Sequence, residues 1–236
     1  MTDIAVLIPA HDEATRIADT VAAAAAIPGV TRVVVVDDGS EDDTDQIAEK
    51  AGAKVVRLYG NRGKGTALEA GASRVENADI ILLLDGDLGR SASQGAALLA
   101  PLLAGQADMS IAAFPRVAGG KAGFGLVKSL ARWGIRRLGG PFEATAPLSG
   151  QRALTRACFA TVRPFSAGYG VVVGLTIRAL RAGFRLTEVE TTMAHAATGR
   201  DLKGFVHRGR QFVHVAIALA KLAGEKTPVR RTGGEV

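Results

Sequence analysis

Four short apolar runs, each followed by a polar or glycine-rich segment, constrain the fold of this chain most strongly. The runs are Ile4–Ile8, Arg32–Val36, Lys54–Leu58 and Ile80–Leu84. Helical patterns separate them at Glu13–Ala26, Asp43–Ala51 and Gly65–Val75. Nearly continuous apolar runs are typical of strands buried on both faces, and strands that alternate with helices indicate a parallel sheet. The sequence therefore predicts a Rossmann-like α/β domain with a central, mostly parallel sheet flanked by helices.

The second half of the chain has a looser pattern. It contains predicted strands at Met109–Phe114 and Arg185–Met193, an amphipathic basic segment at Phe124–Leu138 and a predicted helix at Phe205–Leu222. A length of 236 residues suits one domain, since domains usually have about 50–250 residues. We predict one domain over residues 1–225 and a flexible basic tail over residues 226–236.

The composition favours anionic partners without choosing among them. A net charge of +6 suits phosphorylated small molecules, anionic lipid head groups or nucleic acid. Nucleic acid ranks last and is not expected as a partner, because aromatic residues make up only 5% of the chain and no nucleic-acid-binding motif is present. The single cysteine, Cys158, excludes an internal disulfide and agrees with a reducing compartment.

The sequence favours a cytoplasmic location. Its first residues form a strand-like run and lack the basic flank and cleavage site of a secretory signal. No segment supplies the roughly 18 consecutive apolar residues that a membrane span requires. The basic segment that contains Trp133 could rest on anionic lipid or on a partner, so peripheral contact with the inner membrane face and a homodimer stay open.

The segments that follow the four predicted strands are the places to search for chemistry. They are Pro9–Glu13, Asp37–Ser40, Tyr59–Gly65 and Asp85–Asp87. In a parallel sheet of this kind, ligands bind beyond the carboxyl ends of the strands. The sequence therefore predicts one site to which all four segments contribute.

Asp85, Gly86 and Asp87 form the strongest candidate for a metal and diphosphate site. Two carboxylates one residue apart, with a glycine that allows a sharp turn, can direct oxygen atoms at one hard cation, and such a cation can neutralise a diphosphate leaving group. Acidic residues that merely solvate a turn are the alternative. The position after a buried strand, in line with three other polar strand ends, favours the cation.

Asp37 and Asp38 follow the second run in the same way. At least one of them can accept hydrogen bonds from a sugar hydroxyl or a base, and Asp38 is preferred for that role. Helix capping by Asp42, Asp43 or Thr44 is the competing interpretation of this segment.

The segment Gly60–Gly65 lacks the spacing of a P-loop, since two residues rather than four precede its Gly-Lys pair. It nevertheless places Arg62 and Lys64 near a predicted helix N-terminus, where an anionic ligand is favoured. A solvated cationic turn is the alternative.

His195, Arg200 and Arg208 follow the last predicted strand. An imidazole could complete a metal shell begun by Asp87, and a forked guanidinium could bind diphosphate oxygens. A histidine that is simply hydrogen-bonded at the surface is the alternative for His195.

Taken together, these segments resemble the A-type-fold glycosyltransferases that include dolichol-phosphate mannose synthases and glucosyl-3-phosphoglycerate synthases. Ile-Pro-Ala-His-Asp-Glu, Asp-Asp-Gly-Ser, Gly-Lys-Gly and Asp-Gly-Asp occur in the family's order between Ile4 and Asp87. Beyond Gly105 the resemblance depends on Leu148–Arg152, Gly168–Gly170 and His195.

The resemblance implies a role for each matching residue. Residues 1–105 would bind the nucleotide sugar, with Pro9, Glu13, Asp38 and Lys64 around the nucleotide and Asp85 and Gly86 at the ribose or sugar. Asp87, with His195, would hold Mg²⁺ or Mn²⁺ on the diphosphate. Residues 106–225 would bind the acceptor, and Gly150 and Gln151 would line the sugar or acceptor side. Asp87, Arg200 and Arg208 would act in catalysis.

The implied activity is metal-dependent hexosyl transfer from a UDP- or GDP-linked sugar to a phosphorylated small molecule or a polyprenyl phosphate. The sequence departs from the family at His11-Asp12, where an aromatic residue and asparagine are common, and at Val172, where an acidic residue is common. An inverting transfer needs a general base, for which Glu143 is one candidate, whereas a retaining transfer does not. A nucleotide-sugar-binding protein with lost transfer and a sugar-phosphate nucleotidyltransferase are the alternative functions.

Overall fold

The structure, a computed structural model, describes residues 2–114, 125–165, 170–193 and 202–226, without the side chains of residues 202–211. The strands are β1 (Ile4–Ala10), β2 (Val30–Asp37), β3 (Lys54–Arg57), β4 (Ile80–Leu83), β5 (Met109–Ala113), β6 (Arg152–Thr155) and β7 (Leu186–Glu190). The helices are α1 (Ile17–Ala25), α2 (Thr44–Lys50), α3 (Lys64–Ala72), α4 (Gly95–Leu103), α5 (Gly125–Gly139), α6 (Arg156–Val162), α7 (Val171–Arg181) and α8 (Leu202–Gly224). A short 3₁₀ helix at Gly89–Gln94 precedes α4.

The strands form one seven-stranded sheet in the order β3-β2-β1-β4-β6-β5-β7. Strand β6 pairs antiparallel with both β4 and β5, and the other neighbouring pairs are parallel. The predicted α/β fold with a mostly parallel sheet is therefore confirmed.

The topology opens a crevice beside the carboxyl end of β1. The chain runs from β1 outward through β2 to β3 and then returns to β4 on the other side of β1. Loops that leave the sheet in opposite directions at such a switch point separate and leave room for a ligand. The segments after β1, β2 and β4, which the sequence singled out, border this crevice.

The sheet is buried between two layers of helices. Helices α1, α2 and α4 contribute to the hydrophobic core on one face, and α3, α5, α6, α7 and α8 contribute to the core on the other. Alternate residues of β1 belong to opposite cores, for example Leu7 to one and Val6 to the other. This double burial explains why the first strand runs carry apolar residues at nearly every position.

The helix predicted from Glu13 begins only at Ile17. The backbone N–H groups of the preceding β1–α1 loop bond to side chains of the β2–α2 loop instead. The backbone N–H groups of Asp12, Glu13 and Ala14 donate to Ser40 Oγ, Thr44 Oγ1 and Asp42 Oδ2 at 2.9, 2.8 and 3.1 Å. Asp42 and Thr44, which were capping candidates, therefore tie the β1–α1 loop to the β2–α2 loop. This attachment fixes Glu13 relative to β2. The N-cap of α2 is Asp43, whose side chain makes no capping hydrogen bond.

Three elements of the second half, β6, α6 and α7, were not predicted. Helix α7 begins with three valines, which favour strands intrinsically, yet eight of its eleven residues are buried and packing decides the conformation. Strand β6 is only four residues long and includes the fully buried Arg152, so its pattern does not look like a strand. Within the described part of the chain, no helix has the length and apolar character to cross a bilayer.

The predicted domain bounds and the cytoplasmic location remain predictions. Of the predicted tail over 226–236, only Lys226 belongs to the described residues.

Gly39, in the turn after β2, is expected to tolerate no side chain. It has φ of 74°, and a Cβ there would lie 2.5 Å from the backbone of Gly60. Gly52 is a matched control because its φ is 98° but a Cβ there would meet nothing within 4 Å. We expect Gly52→Ala to cost about 1 kcal/mol and Gly39→Ala about 3 kcal/mol or more in denaturant unfolding. Equal losses of unfolding free energy in the two variants would show that the turn at Gly39 does not pack tightly against Gly60.

Candidate functional site

One cleft with a volume of about 1400 Å³ lies at the carboxyl ends of β1, β2 and β4. Nine residues singled out from the sequence line it, namely Pro9, Glu13, Asp38, Lys64, Asp85, Gly86, Asp87, Gly150 and Gln151. They come from four strand-end segments and from the segment that leads into β6. The structure therefore brings these residues together, while the role of each one remains a prediction.

Three further predicted residues have no described side chain. His195 and Arg200 lie outside the described residues, and Arg208 belongs to α8 but its side chain is outside the description. The second metal ligand and the diphosphate-binding arginines stay predictions.

Asp85 is held by two side chains that reach it from different elements. Lys64, the first residue of α3, forms an ion pair with Oδ1. The fully buried amide of Gln151 donates to Oδ2 at 2.6 Å. A Cβ at Gly150 would overlap the Lys64 ammonium group, so glycine makes room for this pair. The two contacts fix the direction of the Asp85 carboxylate in the cleft.

Thr20 holds the Asp85-Gly86-Asp87 turn from α1. Its buried hydroxyl donates to the carbonyl of Gly86 and accepts from the N–H of Gly89, both at 2.8 Å. Sequence analysis missed this residue. The available signal was a hydroxyl in the buried stripe of α1, between Ile17 and Val21, where an apolar residue is usual.

Asp38 positions the loop that precedes Lys64. Its two carboxylate oxygens accept the backbone N–H groups of Arg62 and Gly63 at 2.9 and 2.6 Å. Asp37 instead accepts the N–H of Ser40 at 3.0 Å within its own turn. Among the described residues, Asp38 lines the cleft and Asp37 does not. Asp38 thus already has a structural role, whatever further contact it makes to a nucleotide.

Asp12 occupies a position where the A-type-fold glycosyltransferases that the sequence resembles commonly have asparagine. Its φ is 55°, in a left-handed region that asparagine and aspartate enter more readily than other non-glycine residues. Its Oδ1 also accepts the N–H of Glu41 at 2.9 Å. Aspartate therefore suits this position, because it adopts the left-handed backbone and accepts the Glu41 N–H.

The carboxyl group of Glu13 has a pKa raised to about 7. Partial burial is the main cause, and the negative charges of Asp87 and Asp85 add to it, while Arg16 opposes the shift. The Glu13 carboxyl group thus lies close enough to Asp87 and Asp85 for their negative charges to disfavour its ionisation.

Glu13 gives the free energy of unfolding a predictable pH dependence. Between its ordinary pKa of 4.5 and the folded value of about 7, the folded chain holds a proton that the unfolded chain releases. This group therefore makes stability fall as the pH rises through that interval. We expect Glu13→Gln to remove this component in denaturant unfolding between pH 5 and 8 with chelator present. Parallel pH profiles for the native protein and the variant would contradict the shift.

The carboxyl groups of Glu13, Asp85 and Asp87 are of the chemical type that binds a hard divalent cation. Carboxylate oxygens suit Mg²⁺ and Mn²⁺, and Mg²⁺ is usually bound by one or two carboxylates together with substrate phosphates. In the part of the chain that the structure describes, no group of three or more His, Cys, Asp or Glu side chains could hold a metal ion alone. A cation here would offset the negative charge that Asp87 and Asp85 exert on Glu13.

Arg152 is a second residue, after Thr20, to which sequence analysis assigned no role. It is fully buried, and Nε and Nη2 donate to the carbonyl of Ser149 at 3.1 and 3.0 Å. Its Nη1 donates to Thr176 Oγ1 of α7 at 2.8 Å. Burial lowers the pKa of this guanidinium to about 10. Arg152 therefore links α7 to the segment that carries Gly150 and Gln151.

The cleft continues from the carboxylate cluster toward α5, α7 and α8. Its far end is lined by apolar residues, among them Val171 and Val172, and by the cations Lys128 and Lys221. Glu225 also lines it, but Arg178 binds this carboxylate at 2.6 Å. Glu143, the candidate general base, is exposed and is not among the described lining residues.

Comparison with known proteins agrees with this geometry. Residues 5–167 match the family described as glycosyl transferase family 2. Glycosyltransferase AglJ of Haloferax volcanii is 31% identical over 212 residues, which cover 84% of this chain and 65% of that protein. Glucosyl-3-phosphoglycerate synthase of Mycolicibacterium paratuberculosis is 34% identical over 197 residues, which cover 74% of this chain and 59% of that protein. The chain spans less than two thirds of the length of these two relatives.

Similar solved structures include glucosyl-3-phosphoglycerate synthase from Mycobacterium tuberculosis. Its complex with Mn²⁺, UDP-glucose and phosphoglyceric acid has a TM-score of 0.75 and 28% identity, and covers 95% of this chain and 81% of that one. Its complex with Mg²⁺ and UDP has a TM-score of 0.74 and 28% identity, with 95% and 80% covered. The A-type glycosyltransferase fold and the family resemblance are confirmed.

Proposed function

We propose, since the chain belongs to glycosyl transferase family 2, that it transfers a hexose from a nucleoside-diphosphate sugar to an anionic acceptor with a divalent cation. The observation that carries the proposal is the meeting of the Asp85-Gly86-Asp87 turn with Glu13 and Lys64 in one cleft at the sheet's switch point. UDP is favoured over GDP, because the similar synthase structures contain UDP or UDP-glucose.

Lys64 and the loop before it would bind the anionic part of the donor. Lys64 begins α3, where unpaired N–H groups and the helix dipole add positive potential. Asp38 keeps the loop in place through two hydrogen bonds, and Pro9 and Glu13 border the same space. Arg200 and Arg208 remain proposed donors to the diphosphate oxygens.

Asp87 would hold Mg²⁺ or Mn²⁺, with His195 as proposed second protein ligand, and the bound cation would supply charge neutralisation for the diphosphate leaving group. Asp85, fixed by Lys64 and Gln151, would orient the sugar or ribose beside it. Preorganised charges of this kind lower the barrier because they need no rearrangement when the leaving group departs.

The acceptor would bind at the far end of the cleft. Lys128 and Lys221 supply positive charge there, which suits a phosphorylated small molecule or a polyprenyl phosphate. Phosphoglyceric acid, the ligand of a similar synthase structure, is an example of the first class.

A nucleotide-sugar-binding protein without transfer activity is the second candidate. Val172 favours it, because this cleft residue offers no carboxylate at a position where related enzymes commonly have one.

The test is release of nucleotide from UDP-glucose and GDP-mannose, measured with Mn²⁺ or with chelator. Phosphoglycerate and a polyprenyl phosphate are added in separate reactions. The proposal predicts metal-dependent release from one donor that increases with one acceptor class. Metal-dependent UDP binding without release under any condition would assign the chain to the second candidate. The absence of both binding and release would overturn the proposed function.

A further inference from the structure

Helices α5 and α8 expose large apolar side chains that the cleft does not explain. On α5, Leu126 is 78% exposed and Trp133 is 61% exposed. On α8, Phe212, Val213 and Ile217 are also exposed. Water does not favour a group of such residues on one surface, and an exposed apolar patch often marks an interaction site.

These residues lie on two neighbouring helices, and the outward side of the pair is called the α5–α8 face below. The two helices pack directly, since the space that a Cβ would occupy at Gly134 is filled by Leu219. The opposite sides of both helices, with Ile135 on α5 and Val215 on α8, face the core. Leu126 and Trp133 are seven residues apart, which places them on the same outward side of α5.

The α5–α8 face is also cationic. Neither helix contains an aspartate or a glutamate. Helix α5 carries Lys128, Arg132, Arg136 and Arg137, and the part of α8 whose side chains are described carries Lys221. Arg136 and Arg137 are exposed at the end of α5 that follows Trp133. The apolar side chains therefore lie in a region of positive charge.

We propose that the α5–α8 face binds the surface of an anionic membrane. The interface of a bilayer accepts apolar side chains among its acyl chains while its phosphate groups attract lysine and arginine. A second copy of the chain would bring two acid-free, cationic helix pairs together, and like charges disfavour that contact. Nucleic acid would match the charge, but three of the five exposed apolar side chains, Leu126, Val213 and Ile217, are aliphatic and cannot stack on bases.

The face adjoins the acceptor end of the cleft. Ile217 is exposed on α8 and also lines the cleft, as do Lys128 of α5 and Lys221 of α8. Membrane binding would therefore bring the cleft mouth to the lipid surface. The proposal concerns binding alone and does not require that the chain transfers a sugar.

Binding can be measured by flotation of the full chain with vesicles in the absence of nucleotide. Vesicles of phosphatidylcholine alone are compared with vesicles that contain 30% phosphatidylglycerol, in ~0.1 M and ~1 M salt. We expect flotation with the anionic vesicles at the lower salt concentration and at least about tenfold weaker binding to the neutral vesicles or at high salt. Equal binding to both vesicles, or binding to neither, would overturn the proposal.

Two variants with matched controls assign the binding to this face. Each cation near an anionic surface contributes about a fivefold factor, so Arg136→Glu with Arg137→Glu should weaken binding about 25-fold or more. Lys50→Glu with Lys54→Glu makes the same change in net charge on α2 and the edge strand β3, and only a small effect is expected. Circular dichroism and thermal unfolding check that each variant is folded.

The apolar contribution is tested by Trp133→Ser, with Leu103→Ser as its control. Leu103 is 56% exposed at the end of α4, in the helix layer on the opposite face of the sheet. Trp133→Ser should weaken vesicle binding about tenfold, and Leu103→Ser should leave it unchanged. Equal losses in both variants would overturn the assignment. A dimer in sedimentation velocity that Trp133→Ser dissociates, without vesicle binding, would assign the face to a second copy instead.

Discussion

Asp87→Asn is expected to lower the rate of sugar transfer by about 10³-fold and to abolish metal-dependent binding of the nucleotide. The substitution keeps the size of the side chain but removes the negative charge that would hold the cation on the diphosphate. The fold should persist, because Thr20 holds the surrounding turn through the backbone of Gly86 and Gly89. The measurements are initial rates with Mn²⁺ and thermal unfolding without it.

Glu49→Gln is the matched control for this variant. Glu49 is an exposed carboxylate on α2 and is not among the described residues that line the cleft. Its removal should leave transfer within about twofold of the native rate. An Asp87→Asn variant with nearly native activity would show that the cation is held by other residues.

Gly150→Ala is expected to lower kcat/KM by about 10²-fold, although it adds one methyl group. The new Cβ would overlap the Lys64 ammonium group and lie 3.2 Å from both oxygens of Asp85. Because Asp85 is also held by Gln151, the lysine is the group that must move. A displaced Lys64 would no longer offer its charge to the anionic part of the donor.

Gly125→Ala serves as the control for the added methyl group, since a Cβ there would meet nothing within 4 Å. We expect native activity for Gly125→Ala and a near-native unfolding midpoint for both variants. Activity of Gly150→Ala within about threefold of the native value would mean that the pairing of Lys64 with Asp85 is not needed.

The donor half of the site was predictable because it combines local signals. Strand β1 and strand β4 are buried on both faces, so their apolar runs are unbroken, and the polar residues after them stand out. Parallel neighbours must end at the same edge of the sheet, which is why Glu13, Asp38 and Asp87 could be placed together from the sequence. The crossing from β3 back to β4 then opens the crevice between them.

The remaining features depend on contacts between distant parts of the chain. The buried guanidinium of Arg152 is stabilised by Ser149 and by Thr176 of α7, and nothing local distinguishes it from a surface arginine. The hydroxyl of Thr20 finds its partners 66 and 69 residues away. Helix α7 forms from β-branched valines because burial outweighs their intrinsic preference. Such residues support the site from behind, where the sequence pattern carries no chemical signature.

The central claim is that the carboxylate turn after β4 forms a metal-dependent donor site. Isothermal titration of UDP into the native protein, with Mn²⁺ and then with chelator, tests it most directly. The account predicts saturable binding with Mn²⁺ that the chelator abolishes. No binding of UDP with Mn²⁺, or equal affinity in the presence of chelator, would contradict it.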